Sequence, residues 1–268
     1  MFQSSIGERR GELRALLTRE AHVWISELEA WRRAPLLTPA EDARARRLRH
    51  PDAQASFVAG RSLIRFALSQ YAEIEPAAWE FGAGRQGRPE ITGPAPVPRL
   101  RFNLSHTRGL AACVVTAEAD CGVDVECLER PLRPLRIAEH SFAPEEFEDL
   151  ERQASEDLRE RFFSYWTLKE SYYKARGSGI PFRMTGARFG LDESGGVDFQ
   201  PIENEHTAGP DWQFALYRPT GEHVMAIALA PGPDRRLEIR VFSGLTDVAG
   251  SSESELGPIR STRAEIAV

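Results

Sequence analysis

The stretch Phe162–Gly179, FFSYWTLKESYYKARGSG, sets the reading of the whole chain. It predicts the end of a helix. Residues four apart share a helix face, so Trp166, Glu170 and Lys174 fall on one stripe. The chain holds 34 Lys+Arg, of which only two, Lys169 and Lys174, are Lys. An arginine-rich bias explains the shortage of lysine but not where the two stand. Lysine is a compact point charge and arginine a planar fork, so a site that accepts only lysine is one reading. A surface face stabilised by a Glu170–Lys174 ion pair is the other.

A second stretch bears on that choice. Gly122–Glu126, GVDVE, reads as a strand. Positions i and i+2 lie on one strand face, so Asp124 and Glu126 project together. Like charges side by side repel unless a cation or open water holds them. With Val123 and Val125 pointing to an interior, a hard divalent cation is the economical answer, and Mg²⁺ takes a few carboxylates together with substrate phosphate. A solvated strand edge is the alternative. Glu170 would be the third carboxylate. Three carboxylates, two lysines and several arginines make a kit for Mg²⁺-assisted transfer from a pyrophosphate.

Other motifs carry less. Gly82–Gly87, GAGRQG, fits the letters of a dinucleotide fingerprint, but Arg88-Pro89 and a Pro-rich loop follow where a helix must open. The glycines are expected to let a loop turn and bring Arg88 to something anionic. Ser105-His106 lacks a nucleophile elbow. Neighbours on an extended segment face opposite ways, so the two do not form a nucleophile–base pair. A polar turn and a nucleotide contact through His106 both remain open.

Thr38-Pro39-Ala40-Glu41 predicts a capped helix start, with Arg44, Arg46, Arg47 and Arg49 following. A helix over 52–71 is interrupted by Gly60-Arg61, which suggests close packing or a ligand. Strands are expected at 22–28, 79–81, 100–104, 110–116 and 122–126. After a proline-punctuated loop at 131–134 come helices at 144–153 and 156–176, and then strands near 187–191, 197–201, 212–217, 224–229 and 237–242. Each half reads strand, two helices, strands. The expected fold is therefore α+β, with two similar lobes in one chain, each a small mostly antiparallel sheet packed on helices, and the site in the cleft between them. The expected division is an extension over 1–20, lobes over 21–119 and 120–243, and a disordered tail over 244–268.

The 268 residues carry a formal charge of −6, which disfavours a general nucleic-acid binder. No apolar run is long enough to span a bilayer and no signal-type segment opens the sequence, so no membrane partner and a cytoplasmic setting are expected. Cys113, Cys121 and Cys127 match no zinc spacing and read as reduced core thiols.

FNLSHT, GVDVE and FFSYWTLKESYYKARGSGI resemble the motifs of the Sfp-type 4′-phosphopantetheinyl transferases. GRQGRP resembles their G-[KR]-P element, and FVAGRSLIR their helix with a GR pair. The likeness runs over roughly residues 22–240. It implies transfer of the phosphopantetheine arm of coenzyme A to a carrier-protein serine, releasing 3′,5′-ADP, by a monomer that is a pseudo-dimer within one chain. By position it implies Asp124, Glu126 and Glu170 on Mg²⁺, with Lys174 on the phosphates and Lys169 close by. It places Arg88, Ser105 and His106 on the nucleotide, His106 near the 3′-phosphate, and Arg44 and Arg61 as basic coenzyme A contacts. Glu170 is the usual candidate for the base; Glu146 and a metal-bound water are others. Ser56 stands where many relatives have Arg, and near Glu41 some relatives have a basic residue, which bears on the 3′-phosphate clamp. Leu132–Phe142, with Arg133 and Arg136, is the expected docking segment for an acidic carrier. Another Mg²⁺-dependent pyrophosphate-cleaving enzyme and a degenerate coenzyme A- or carrier-binding module are the rival readings.

Overall fold

The computed structural model describes residues 2–84, 87–96, 99–181, 183–201, 211–243, 252–253 and 256–262. After a first helix α1 (Phe2–Leu16), the chain runs β1 (Glu20–Glu27), α2 (Pro39–Arg47), α3 (Pro51–Ser69), a hairpin of β2 (Glu80–Ala83) and β3 (Pro89–Gly93), then β4 (Arg101–His106) and β5 (Leu110–Thr116). It then repeats the plan. β6 (Asp120–Cys127) is followed by α4 (Pro134–Ser141), α5 (Pro144–Glu151) and α6 (Ser155–Arg176). A hairpin of β7 (Ala187–Leu191) and β8 (Val197–Pro201), then β9 (Gln213–Thr220) and β10 (His223–Ala230), complete the second round. β11 (Glu238–Ser243), β12 (Ser252–Glu253) and β13 (Arg260–Ser261) follow.

The repeat is topological. The first round builds the order β1-β5-β4 and the second β6-β10-β9, each wholly antiparallel. β11 crosses back to pair in parallel with β1. The fold is therefore α+β, as the alternation of elements predicts.

Side-chain alternation stacks these parts. On β5, Ala111, Cys113 and Val115 join the core under α3, while Leu110, Ala112 and Val114 join a core shared with β6, β9 and β10. On β10, Val224, Ala226 and Ala228 face the core under α6, while Met225, Ile227 and Leu229 face the shared core. The layers run helix, sheet, sheet, helix, with apolar contacts at all three joints. The three cysteines are free and buried, as expected.

The capping box at Thr38 forms: the Glu41 amide donates to Thr38 Oγ1 at 3.3 Å and the Thr38 amide to Glu41 Oε2 at 2.9 Å. Of GAGRQG, Gly82 and Ala83 close β2, which pairs antiparallel with β3, and among the described residues no helix opens where a dinucleotide motif needs one. Gly60 allows α3 to lie on β4: a Cβ there would stand 2.9 Å from Leu104 Cδ2 and 3.5 Å from His106 Cδ2.

Two stretches hold more structure than expected. Leu13 and Leu17, in the N-terminal extension, enter the first core. In the tail, expected to be disordered, β12 pairs with β11 and β13 with β9, so backbone pairing on two sheet edges orders those segments. The rest of the tail's expected disorder lies largely outside the described residues. Segment 132–142 also contains the helix α4; Phe142, just after it, is buried and stacks on Phe162 at 5.4 Å between centroids.

Candidate active site

The site forms where the edge strand of each sheet meets α6. On β6, Cys121, Val123 and Val125 point into the shared core, so Gly122, Asp124 and Glu126 point the other way, towards α6. Gly122 is what lets the helix come close. A Cβ there would lie 2.0 Å from the Ser171 carbonyl oxygen and 2.7 Å from the Ala175 amide nitrogen, so no side chain fits. Asp124, two residues on, meets Lys174 from the same helix.

β4 and β6 lie at the edges of different sheets and share no backbone ladder. Side chains bridge them instead. Asn103, Ser105 and Thr107 are spaced by two and accept from the backbone N–H groups of Val123 (3.0 Å), Val125 (3.3 Å) and Cys127 (3.3 Å). This satisfies donors that a bare sheet edge would leave open. It also holds Ser105 against Asp124, its hydroxyl 2.8 Å from Asp124 Oδ1.

Lys174 closes the cluster. Its Nζ lies 2.5 Å from Asp124 Oδ1, 3.1 Å from Ser105 Oγ, 3.4 Å from the Val123 carbonyl and 3.7 Å from Glu170 Oε2. Burial opposes its charge, but Asp124 and Glu170 outweigh that and raise its pKa. Glu126 pairs with Arg130 at 2.5 Å and accepts from Thr107 Oγ1 at 3.4 Å. Burial, then the charge of Asp124, pushes the Glu126 carboxyl up to about 7. The same two causes push Glu170 up to about 8. Like charges crowded in a low-dielectric cleft resist ionising together. His106 lies on the opposite face of β4 from Ser105, beside Gly60 of α3. Desolvation, then the charge of Lys174, lowers its pKa and favours the neutral ring.

Of the residues expected here, the fold brings together Ser105, Asp124, Glu126, Glu170 and Lys174. Arg44 and Arg61 meet over one ring, 5.1 Å and 5.9 Å from the centroid of Phe57. Arg61 also pairs with Glu41 at 3.7 Å, and Arg65 with the same carboxylate at 2.9 Å.

Three expectations need correction. Lys169, placed near the phosphates, is wholly buried. Its ammonium lies 2.8 Å from Glu146 Oε2 and donates to the Met184 (2.7 Å) and Ala187 (2.5 Å) carbonyls, so no surface is left for a ligand. Glu146, a candidate base, is held in that pair and by the amides of Ala143 and Phe189, each at 2.8 Å. Buried with all its partners, it cannot reach a substrate proton. Arg88 donates to four backbone carbonyls rather than facing open solvent.

Asn103, Thr107 and Arg130 were not singled out from the sequence. The alternation N-x-S-x-T was a usable signal for the first two, since three short acceptors on one strand face suit an edge. Arg130 follows Glu126 by four residues, but in a turn rather than a helix.

Two edge strands and a helix thus gather three carboxylates, a lysine and a serine at one seam. Residues 120–228 match the 4′-phosphopantetheinyl transferase superfamily. The chain is 33% identical over 221 residues to the 4′-phosphopantetheinyl transferase HetI of Nostoc sp., covering 80% of this chain and 90% of that protein. It is 30% identical over 205 residues to a phosphopantetheinyl transferase of Thraustochytrium sp., covering 72% and 70%. It is 24% identical over 176 residues to Sfp of Bacillus subtilis, covering 66% and 76%. The chain belongs to the 4′-phosphopantetheinyl transferase superfamily and is an enzyme of that class. Among the described residues, no helix is long and apolar enough to cross a membrane.

Proposed function

We propose that this enzyme moves the 4′-phosphopantetheine arm of coenzyme A to a serine of an acyl or peptidyl carrier protein with the help of Mg²⁺, releasing 3′,5′-ADP. We further propose that residues 21–119 and 120–243 are its two lobes, with β11 at the end of the second range joined to the first lobe's sheet through β1, and that it acts as a monomer in the cytoplasm. The observation that carries the reading is the Asp124–Lys174–Glu170 cluster at the seam.

Among the described residues, no three Asp, Glu, His or Cys side chains stand in a ready ligand set. The donor chemistry nonetheless suits a hard cation. Asp124 Oδ2 is buried without a hydrogen-bond partner. Such an orphan is costly unless something fills it. Burial first, and the charge of Asp124 second, raise the Glu126 and Glu170 carboxyls, and a cation would relieve the second cause. Asp124, Glu126 and Glu170 would hold Mg²⁺, whose chemistry is to neutralise pyrophosphate charge and fix its geometry.

The protein's own groups do the rest. Lys174 contacts the bridging phosphates and stabilises the charge that grows on the leaving group. Arg44 and Arg61, around Phe57, and His106 receive the nucleotide end. The carrier serine oxygen bonds to the β-phosphorus as the pyrophosphate P–O bond breaks. Its proton passes to a base, for which Glu170, 3.7 Å from Lys174, is the candidate. Arg133, just before α4, and Arg136 on it are exposed, while Phe142 turns inward, so an acidic carrier would meet charge at the start of this helix.

The test is conversion of apo carriers from fatty-acid, polyketide and peptide synthesis to their holo forms, with Mg²⁺ and with chelator. Conversion of at least one carrier, abolished by chelation, supports the reading. Coenzyme A hydrolysis without carrier modification points to a pyrophosphate-cleaving enzyme and overturns it.

A further inference from the structure

Arg88 is the expected nucleotide contact that the fold uses otherwise. It stands at the end of the β2–β3 connection, where its own carbonyl accepts from the Gly84 amide at 2.7 Å. Its Nη1 donates to the carbonyls of Ala175 (2.9 Å) and Lys174 (3.4 Å). Its Nη2 donates to those of Cys121 (3.2 Å) and Phe102 (3.3 Å). Each Nη nitrogen carries two hydrogens, so all four are committed and Nε–H is the one donor of the fork these bonds do not use. A phosphate could take one of the four only by breaking a bond already made.

The four carbonyls are not a random set. Phe102 lies on β4 three residues before Ser105. Cys121 lies on β6 three residues before Asp124. Lys174 and Ala175 lie in the last turn of α6, which carries Glu170 and Lys174. At a strand rise of about 3.3 Å per residue, the fork sits about 10 Å along both strands from the carboxylates. It therefore grips every element that bears the site without touching the site. The two helix carbonyls belong to the last turn, where the dipole favours a cation; that of Lys174 is shared with the Gly177 amide at 3.2 Å. Gly177 ends the helix in the left-handed region at φ +63°, and a Cβ there would stand 3.7 Å from Arg88 Cδ. Below the fork, the Asn103–Ser105–Thr107 ladder continues the same seam.

We infer that Arg88 is a positioning residue: its guanidinium locks α6 to the β4–β6 seam and so holds Lys174 opposite Asp124, and it makes no contact with the nucleotide. A lysine cannot replace it, because one ammonium has neither the fork nor the reach to hold carbonyls on three elements. The kinetic part of the test rests on the transfer reaction proposed above; the exchange part does not.

The experiment compares wild type with Arg88→Lys, at equal folded concentration, using coenzyme A and 3′-dephospho-coenzyme A as donors. The expected result is a kcat about tenfold lower by the same factor for both donors, with each KM within twofold of wild type. Amide hydrogen exchange without substrate should quicken at least tenfold at residues 123, 125, 127 and 171–177. A KM for coenzyme A raised fivefold or more while that for the dephospho donor stays put would mean a 3′-phosphate contact. It would overturn the inference, as would unchanged kcat and exchange. Should Arg88→Lys fail to fold, Arg88→Gln, which keeps two donors, carries the same comparison. A wild-type enzyme that modifies no carrier would count against the proposed reaction, and the exchange data would then decide the role of Arg88 alone.

Discussion

Replacing Lys169 by Met should make the protein's stability depend on pH in a way that wild type does not. Lys169 and Glu146 are both wholly buried and 2.8 Å apart. Removing one partner of such a pair costs about 3–5 kcal/mol, because the other charge is left uncompensated. Burial raises the Glu146 pKa above its ordinary value, and Lys169 is the largest influence holding it down. Without Lys169 the carboxyl rises further and takes up a proton in the folded state. A carboxyl with a raised folded pKa contributes stability that is full below the unfolded value and lost as pH climbs towards the folded one. The folded variant then binds one proton more than the unfolded chain, and stability falls by about 1.4 kcal/mol per pH unit. Urea unfolding followed by tryptophan fluorescence, at pH 5.5, 6.5 and 7.5, measures this. The gap to wild type should widen once pH passes the wild-type Glu146 pKa, by up to that slope. Glu146→Gln/Lys169→Met, with nothing left to titrate, should give a gap that stays flat. A constant gap in Lys169→Met, or a loss of under about 1 kcal/mol, would refute the buried-pair reasoning.

Two further outcomes follow from the geometry. Gly122→Ala should cost on the order of 3 kcal/mol or prevent folding, since its Cβ would meet helix backbone rather than a side chain that could swing away; a thermal melt within a degree or two of wild type would show that β6 and α6 are not in such close contact. Lys174→Arg should lower kcat for transfer at least about tenfold although charge is kept, because a planar fork cannot occupy the point between Ser105 Oγ, Val123 O and Asp124 Oδ1; wild-type kinetics would mean the lysine is incidental there.

The parts of the site legible in the sequence were those carried by local periodicity. Alternation placed Asp124 and Glu126 on one strand face, and helical spacing placed Glu170 beside Lys174; the structure keeps both. Spacing also separated Ser105 from His106 correctly. What stayed hidden depended on partners distant along the chain. Lys169 and Lys174 look alike in the sequence, yet Lys169 meets Glu146 in the interior while Lys174 meets Asp124 at the seam. No periodicity says which of two neighbouring lysines turns inward. Arg88 was read as an anion contact because a Gly-rich turn exposes it in the sequence; its four carbonyl acceptors come from three other elements and only the assembled seam reveals them. β12 and β13 are two residues each, too short to show an alternation, and are held by strands that precede them.

In the proposed reaction, three carboxylates and one lysine at this seam serve the transfer of the coenzyme A arm to a carrier serine. Intact-mass measurement of an apo carrier after incubation with coenzyme A and Mg²⁺ tests it most directly, with wild type set against a folded Asp124→Asn variant. Wild type should add one phosphopantetheine arm, matched by equimolar 3′,5′-ADP, and the variant none. An unchanged carrier with wild type across the whole panel, or full conversion by Asp124→Asn, would contradict it.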